Sequence, residues 1–162
     1  RTAWADASIR EYPQAASDDG YIYNHEYGNN ADSSAITASI TSANISLDEG
    51  DRYVLLQRII PDINFTGSDA GTTPTAEFKV SAKKFPGSAP YSTNEAGSST
   101  DGSVTAANSV ASTTATVDEF TSQIYIRARG NQMAFTIEST ASGVAWGLGT
   151  PRADVRPDGR RG

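Results

Sequence analysis

The sequence predicts an all-β protein: an antiparallel β-sandwich of about seven or eight strands, preceded by an irregular segment with a short strand. Three observations predict it. Apolar residues recur at every second position in short runs, which suits strands with one buried face. Helical periodicity is nearly absent. Clusters of Gly, Pro, Asn and Asp punctuate the runs at close intervals. The 162 residues fit one domain large enough to hold a core without a disulfide or metal staple.

Taken in order, residues 1–34 form an irregular N-terminal segment with Trp4, Tyr12-Pro13 and the turn Asp18-Asp19-Gly20. A short aromatic strand, Tyr21-Ile22-Tyr23, follows, and then a loop at Gly28-Asn29-Asn30-Ala31-Asp32. Residues 35–162 are expected to be the sandwich. Ile36, Ala38 and Ile40 alternate with Thr37, Ser39 and Thr41 as a half-buried strand, and Ile45 and Leu47 carry the pattern to a turn at Asp48-Glu49-Gly50-Asp51. Tyr53 to Ile60 is apolar on both faces apart from Gln57 and Arg58, which predicts a central strand ended by Pro61. Phe78, Val80 and Ala82 alternate with Lys79 and Ser81 in the next. Residues 87–112 carry almost no large apolar side chain, which predicts a long mobile loop with weak edge pairing around Val104.

Ile124, Ile126 and Ala128 share one face of a strand, and Tyr125, Arg127 and Arg129 the other. Gly130-Asn131 is the sequence signature of a primed two-residue hairpin, with Met133, Phe135 and Ile137 returning on the apolar face. Val144, Trp146 and Leu148 lie in phase in a last strand that Pro151 breaks. Val155 is expected to pair briefly before Pro157-Asp158-Gly159 turns the chain out. Ile124, Ile126, Phe135, Ile137, Val144 and Trp146 are the predicted core.

Composition removes several functions. With no cysteine, thiolate nucleophiles, iron–sulfur clusters, disulfides and Cys-ligated zinc are excluded, and one histidine excludes any site of two imidazoles within the chain. No apolar run approaches the roughly 20 residues of a membrane-spanning helix. The start, Arg1-Thr2-Ala3-Trp4, has no apolar stretch of a signal peptide and no initiator Met, as expected of a fragment or processed product. The net charge is −6, unevenly spread: residues 1–126 hold 7 basic and 16 acidic side chains, residues 127–162 hold 6 arginines and 3 acids. An acidic chain makes DNA contact at most indirect.

The residues that could carry chemistry have simpler roles. His25-Glu26 at a strand end reads as a hydrogen-bonded tip, since neighbouring strand residues face opposite ways. Asp48-Glu49-Gly50-Asp51 and Asp18-Asp19-Gly20 lack the ligand spacing of a calcium loop and suit turns. Asp62, Asp118 and Glu119 are not marked as a glycosidase pair, and no nucleophile elbow or phosphate loop occurs. Arg127 and Arg129 are expected to pair with acids such as Glu138 across strands. No catalytic residue, metal or cofactor is assigned. The arginines Arg152, Arg156, Arg160 and Arg161 stand apart. Pro151 and Pro157 limit regular pairing around them, so they are expected to stay off the strand ladders and meet an acidic protein surface.

Several stretches together carry a resemblance: Tyr21-Ile22-Tyr23-Asn24-His25-Glu26-Tyr27-Gly28, Ser46-Leu47-Asp48-Glu49-Gly50-Asp51, Arg58-Ile59-Ile60-Pro61-Asp62-Ile63, Arg127-Ala128-Arg129-Gly130-Asn131, and above all the ending from Trp146-Gly147-Leu148-Gly149-Thr150-Pro151 to Arg161. Their order resembles the C-terminal region of structural proteins of tailed bacteriophages, in particular the tail-hub or nozzle-type proteins of short-tailed phages. Gly147 departs from it, standing where a larger polar or basic residue is expected. The resemblance implies a virion component of the tail or neck that forms a ring-like homo-oligomer and contacts neighbouring tail or connector proteins. It implies no catalytic role and no membrane, and a larger, often propeller-like upstream part. A carbohydrate-binding or adhesin module is the alternative that a Ser/Thr-rich sandwich with aromatics suits, and a hydrolase ranks third.

Overall fold

The computed structural model describes residues 3–6, 11–46, 52–83 and 112–160. Among them every regular element is a strand and every pairing is antiparallel. The N-terminal part is more regular than its sequence predicts. β1 (Ala3–Ala5), β2 (Gln14–Ala16) and β3 (Ile22–Asn24) form a small three-stranded sheet. β4 (Asn30–Ala31) and β5 (Ser34–Ala35) form a hairpin across the expected segment boundary. Asp32 and Ser33 both take positive φ, 47° and 67°, so this is where the primed turn lies.

The first main sheet is built from β6 (Ala38–Thr41), β7 (Ile45–Ser46), β10 (Thr75–Lys83), β11 (Ser112–Asp118) and β13 (Gln132–Ser139). Its order is β11-β10-β13, with β6 and β7 end to end along the far edge of β13. The second sheet places β8 (Arg52–Ile60) between β12 (Ile124–Gly130) and β15 (Arg152–Arg160). β9 (Ile63–Asn64) pairs with β14 (Gly147–Leu148) beside them.

Alternation explains the packing. Ala76, Phe78, Val80 and Ala82 of β10 are buried, as are Ile124, Ile126 and Ala128 of β12, and the polar residues between them face out. The two sheets meet through one cluster that includes Leu56, Ile59, Phe78, Val80, Val117, Ile126, Met133 and Ile137. Each large apolar side chain so buried contributes about 1.5–3 kcal/mol. Of the predicted core, Ile124, Ile126 and Ile137 are buried, while Phe135, Val144 and Trp146 are partly buried against the cluster. Val144 and Trp146 precede β14 rather than forming a long strand.

Three expectations are corrected. Gly130-Asn131 does not close a hairpin: β12 pairs with β8 and β13 with β10, so the chain changes sheets there. Neither residue has positive φ. The backbone of Lys83 fills the corner, accepting the Asn131 N–H at 2.8 Å, and a Cβ at Gly130 would sit 2.8 Å from the same carbonyl. Two apolar strand faces can bury one another by lying in opposite sheets, which a flat hairpin prevents.

Next, the strand expected from Ile36 begins only at Ala38 and is exposed throughout, with Ile40 and the preceding Ile36 both 48% accessible, because β6 is an edge strand where the sandwich opens. Finally, the Arg-rich end is not turned out of the fold. Arg152 to Arg160 pair with β8 along its length. Pro157 is tolerated because β15 is an edge strand with an irregular register beside that proline. The expected mobile loop at 87–112 lies outside the described residues except Ser112, which begins β11, and so does the turn at Asp48-Glu49-Gly50-Asp51.

Candidate functional site

The outer face of the β12-β8-β15 sheet gathers the charge that the sequence scatters. Register puts Tyr125, Arg58 and Asp154 in one row across the sheet, and Arg129, Leu55 and Arg156 in another. Between the rows the ladder is irregular. Gln57 stands opposite both Ile126 and Arg127 of β12, and opposite no residue of β15. Such bulges bend a strand and re-aim its side chains. The result is an open depression of about 650 Å³ lined by Gln57, Arg58, Tyr125, Arg127, Asp154 and Arg156.

The arginines divide into two groups. Arg129 is occupied, with its guanidinium 4.7 Å above the centre of the Tyr53 ring, an ion pair to the Asp158 carboxylate and a hydrogen bond to the Asp158 carbonyl. Arg58 is partly occupied, 3.6 Å from Asp154 and donating to Gln123 Oε1 at 3.3 Å. These pairs are solvent-exposed and each contributes at most about 1 kcal/mol. Arg127, Arg152 and Arg156 make no ion pair among the described residues. The face thus carries Arg58, Arg127, Arg129, Arg152 and Arg156 against Asp154 and Asp158, in a chain whose net charge is −6. Chemically it offers guanidinium forks beside an exposed phenol, a set that binds carboxylates, phosphates or sulfates bidentately.

Of the four arginines singled out from sequence, Arg152 and Arg156 lie on this face and Arg160 ends the strand opposite Arg52. Arg161 lies outside the described residues. The sequence reading missed Arg58, Tyr125 and Gln57 as their neighbours, although the polar Gln57-Arg58 pair inside an apolar run was the available signal. It also misassigned Glu138. That carboxylate lies in the other sheet and accepts from Lys79 Nζ at 2.6 Å, with Glu77 at 3.2 Å; the two acids, Glu138 first, push the Lys79 ammonium pKa up.

Asp62, Asp118 and Asp19 brace local structure. Asp62, at φ 49°, accepts the Thr150 N–H on its carboxylate. Asp118 accepts from Thr121 Oγ1 at 2.5 Å and from the Phe120 N–H at 3.0 Å, and the Thr121 hydroxyl holds its carboxyl below the usual range. Asp19 is lowered likewise by the Tyr23 hydroxyl at 2.7 Å. His25 follows β3 and packs its ring on Trp4, centroids 4.7 Å apart. Among the described residues no three His, Asp or Glu side chains come together in a set that could hold a metal ion. Asp69, unnoticed in the sequence, ties the two parts of the chain: its carboxylate accepts from Asn29 and Asn30, and Asn30 in turn accepts the Gly143 N–H at 2.7 Å.

A second feature is an apolar slot of about 320 Å³ where the two sheets part, between β6 and β7 on one side and the start of β15 on the other. Ile40, Ile45, Phe135, Leu148, Pro151 and Ala153 line it, which is why Phe135 is only half-buried. No family model matches the chain, and no curated protein matches it in sequence.

Proposed function

We propose that this chain is a structural component of a tailed-bacteriophage virion, part of the tail or the head-to-tail assembly, and that it acts by self-association into a ring and by contact with neighbouring tail or connector proteins. The observation that carries the reading is the arginine face. A strongly acidic chain collects Arg127, Arg152 and Arg156 on one sheet surface and leaves them without carboxylate partners among the described residues. Charges so placed steer and register protein contacts more than they stabilise a fold. The resemblance of the stretches quoted above to tail-hub and nozzle-type proteins supplies the context. The reading assigns no catalytic residue and no cofactor.

Sedimentation of the full chain at low and high salt tests this. The expected result is a concentration-dependent oligomer that weakens as salt screens the arginines, and weakens further in Arg152→Ala with Arg156→Ala. A monomer at every concentration and salt overturns it. A second reading, a carbohydrate-binding module, is favoured by Tyr125 standing exposed beside Arg127 in the depression. A monomer that binds acidic glycans on an array selects that reading instead.

A further inference from the structure

We infer that the arginine face is the seat for the acidic N-terminal sheet of a second copy, so that copies join head to tail. The inference rests on the reading of the chain as a self-assembling subunit and names the two surfaces that would meet.

The first observation is that the small sheet is incomplete by itself. β1, β2 and β3 have three residues each, and Ala15 is their one buried apolar residue. Tyr21 and Ile22 are 68% and 70% exposed, and Trp4 and Tyr27 are also exposed. So little burial does not hold three short strands in water. The Trp4–His25 and Tyr12–Tyr27 ring contacts help only locally. An aromatic surface of this kind suits a protein contact.

The second observation is charge. Residues 1–34 carry six acids against two arginines, a net of −4, while the face of β8, β12 and β15 carries five arginines against two acids. The depression between Arg127 and Arg156 is lined by those three strands alone, so the N-terminal sheet does not cover it within its own chain. The exposed tyrosines of the small sheet and the carboxylates of the segments flanking its strands are natural counterparts of the guanidiniums of Arg127 and Arg156, by stacking and by ion pairing. Because the two surfaces differ, the contact is heterologous and repeats from copy to copy, closing into a ring when the rotation allows.

Charge reversal tests the pairing. Arg127→Glu with Arg156→Glu on one side, and Asp18→Arg with Glu26→Arg on the other, should each weaken self-association on the order of tenfold or more. Carrying all four changes in one chain should restore much of it. The absence of cysteine gives an independent measurement. Copies with Ile22→Cys mixed with copies with Tyr125→Cys should cross-link to each other, and neither should cross-link to itself. If the chain assembles but no reversal weakens it and Ile22→Cys links only to Ile22→Cys, the inference is wrong and self-assembly stands. If the chain stays monomeric, both fall. If it stays monomeric and an oligonucleotide or sulfated polysaccharide binds at Arg127 and Arg156, that face serves a soluble polyanion instead.

Discussion

Asp62 holds two consecutive amides of the segment that leads into β15: its carboxylate accepts the Thr150 N–H at 2.6 Å, and its carbonyl accepts the Gly149 N–H at 2.8 Å. A Cβ on Gly149 would overlap that carboxylate. The clamp fixes where β15 begins, and hence where Arg152 and Arg156 fall on the sheet. Asp62→Ala should cost about 1–3 kcal/mol in urea unfolding, because the Thr150 N–H loses its charged acceptor and alanine tolerates the positive φ poorly, while the Gly149 N–H keeps the main-chain carbonyl. Asp62→Asn keeps an acceptor and tolerates positive φ, so it should cost less. Gly149→Ala should destabilise through the clash and equal or exceed the Asn variant.

The sheet-to-sheet corner predicts a second effect. At Gly130 the neighbour is backbone, which cannot swing aside. Gly130→Ala should therefore cost about 1–3 kcal/mol by overpacking. Denaturant unfolding of this single variant measures the cost, and a loss under about 0.5 kcal/mol would mean that the corner is looser than its backbone contacts indicate.

Phe78 and Phe135 pack edge to face with ring centroids 6.0 Å apart, but only Phe78 is fully buried. Phe78→Ala should cost about 3–5 kcal/mol. Phe135→Ala should cost roughly half that, because its outer side lines the apolar slot and a truncated side chain leaves less new cavity. Equal losses would mean that the slot is filled in solution.

The Asp118 turn predicts a pH dependence. Its carboxyl is lowered in the folded chain, chiefly by the Thr121 hydroxyl, from an ordinary 3.8. A lowered carboxyl stabilises the fold above its ordinary value, and that contribution is lost as pH falls through the folded value. Thr121→Val should raise the Asp118 titration midpoint seen by NMR and leave stability less sensitive to acid below about pH 4.

Strands whose faces differ were legible. Phe78-Lys79-Val80-Ser81-Ala82 and Ile124 to Arg129 declare their buried and exposed sides residue by residue. The choice of partner strand was not. Gly130-Asn131 has the composition of a hairpin turn, and local chemistry cannot tell a chain that doubles back from one that crosses to the opposite sheet. Asp32-Ser33 forms the primed turn with residues less typical of it. The prolines at 151 and 157 suggested a tail because edge status, which makes them acceptable, is a property of the whole sheet. Arg156 was visible as a cation; that it lies beside Arg58, Arg127 and Tyr125 depends on pairing between positions far apart in sequence.

The pairing of β8 with β15 also sets the order of events during synthesis. β8 is the middle strand of its sheet, yet one of its two partners leaves the ribosome only after β10, β11, β12 and β13 have all been made. Until then its edge, with Leu56 and Ile59 beside it, stays open to any other strand. Pairings between distant segments form slowly. A nascent chain therefore keeps one edge of β8 open until its arginine strand arrives, so the element that completes the candidate contact surface also closes that edge.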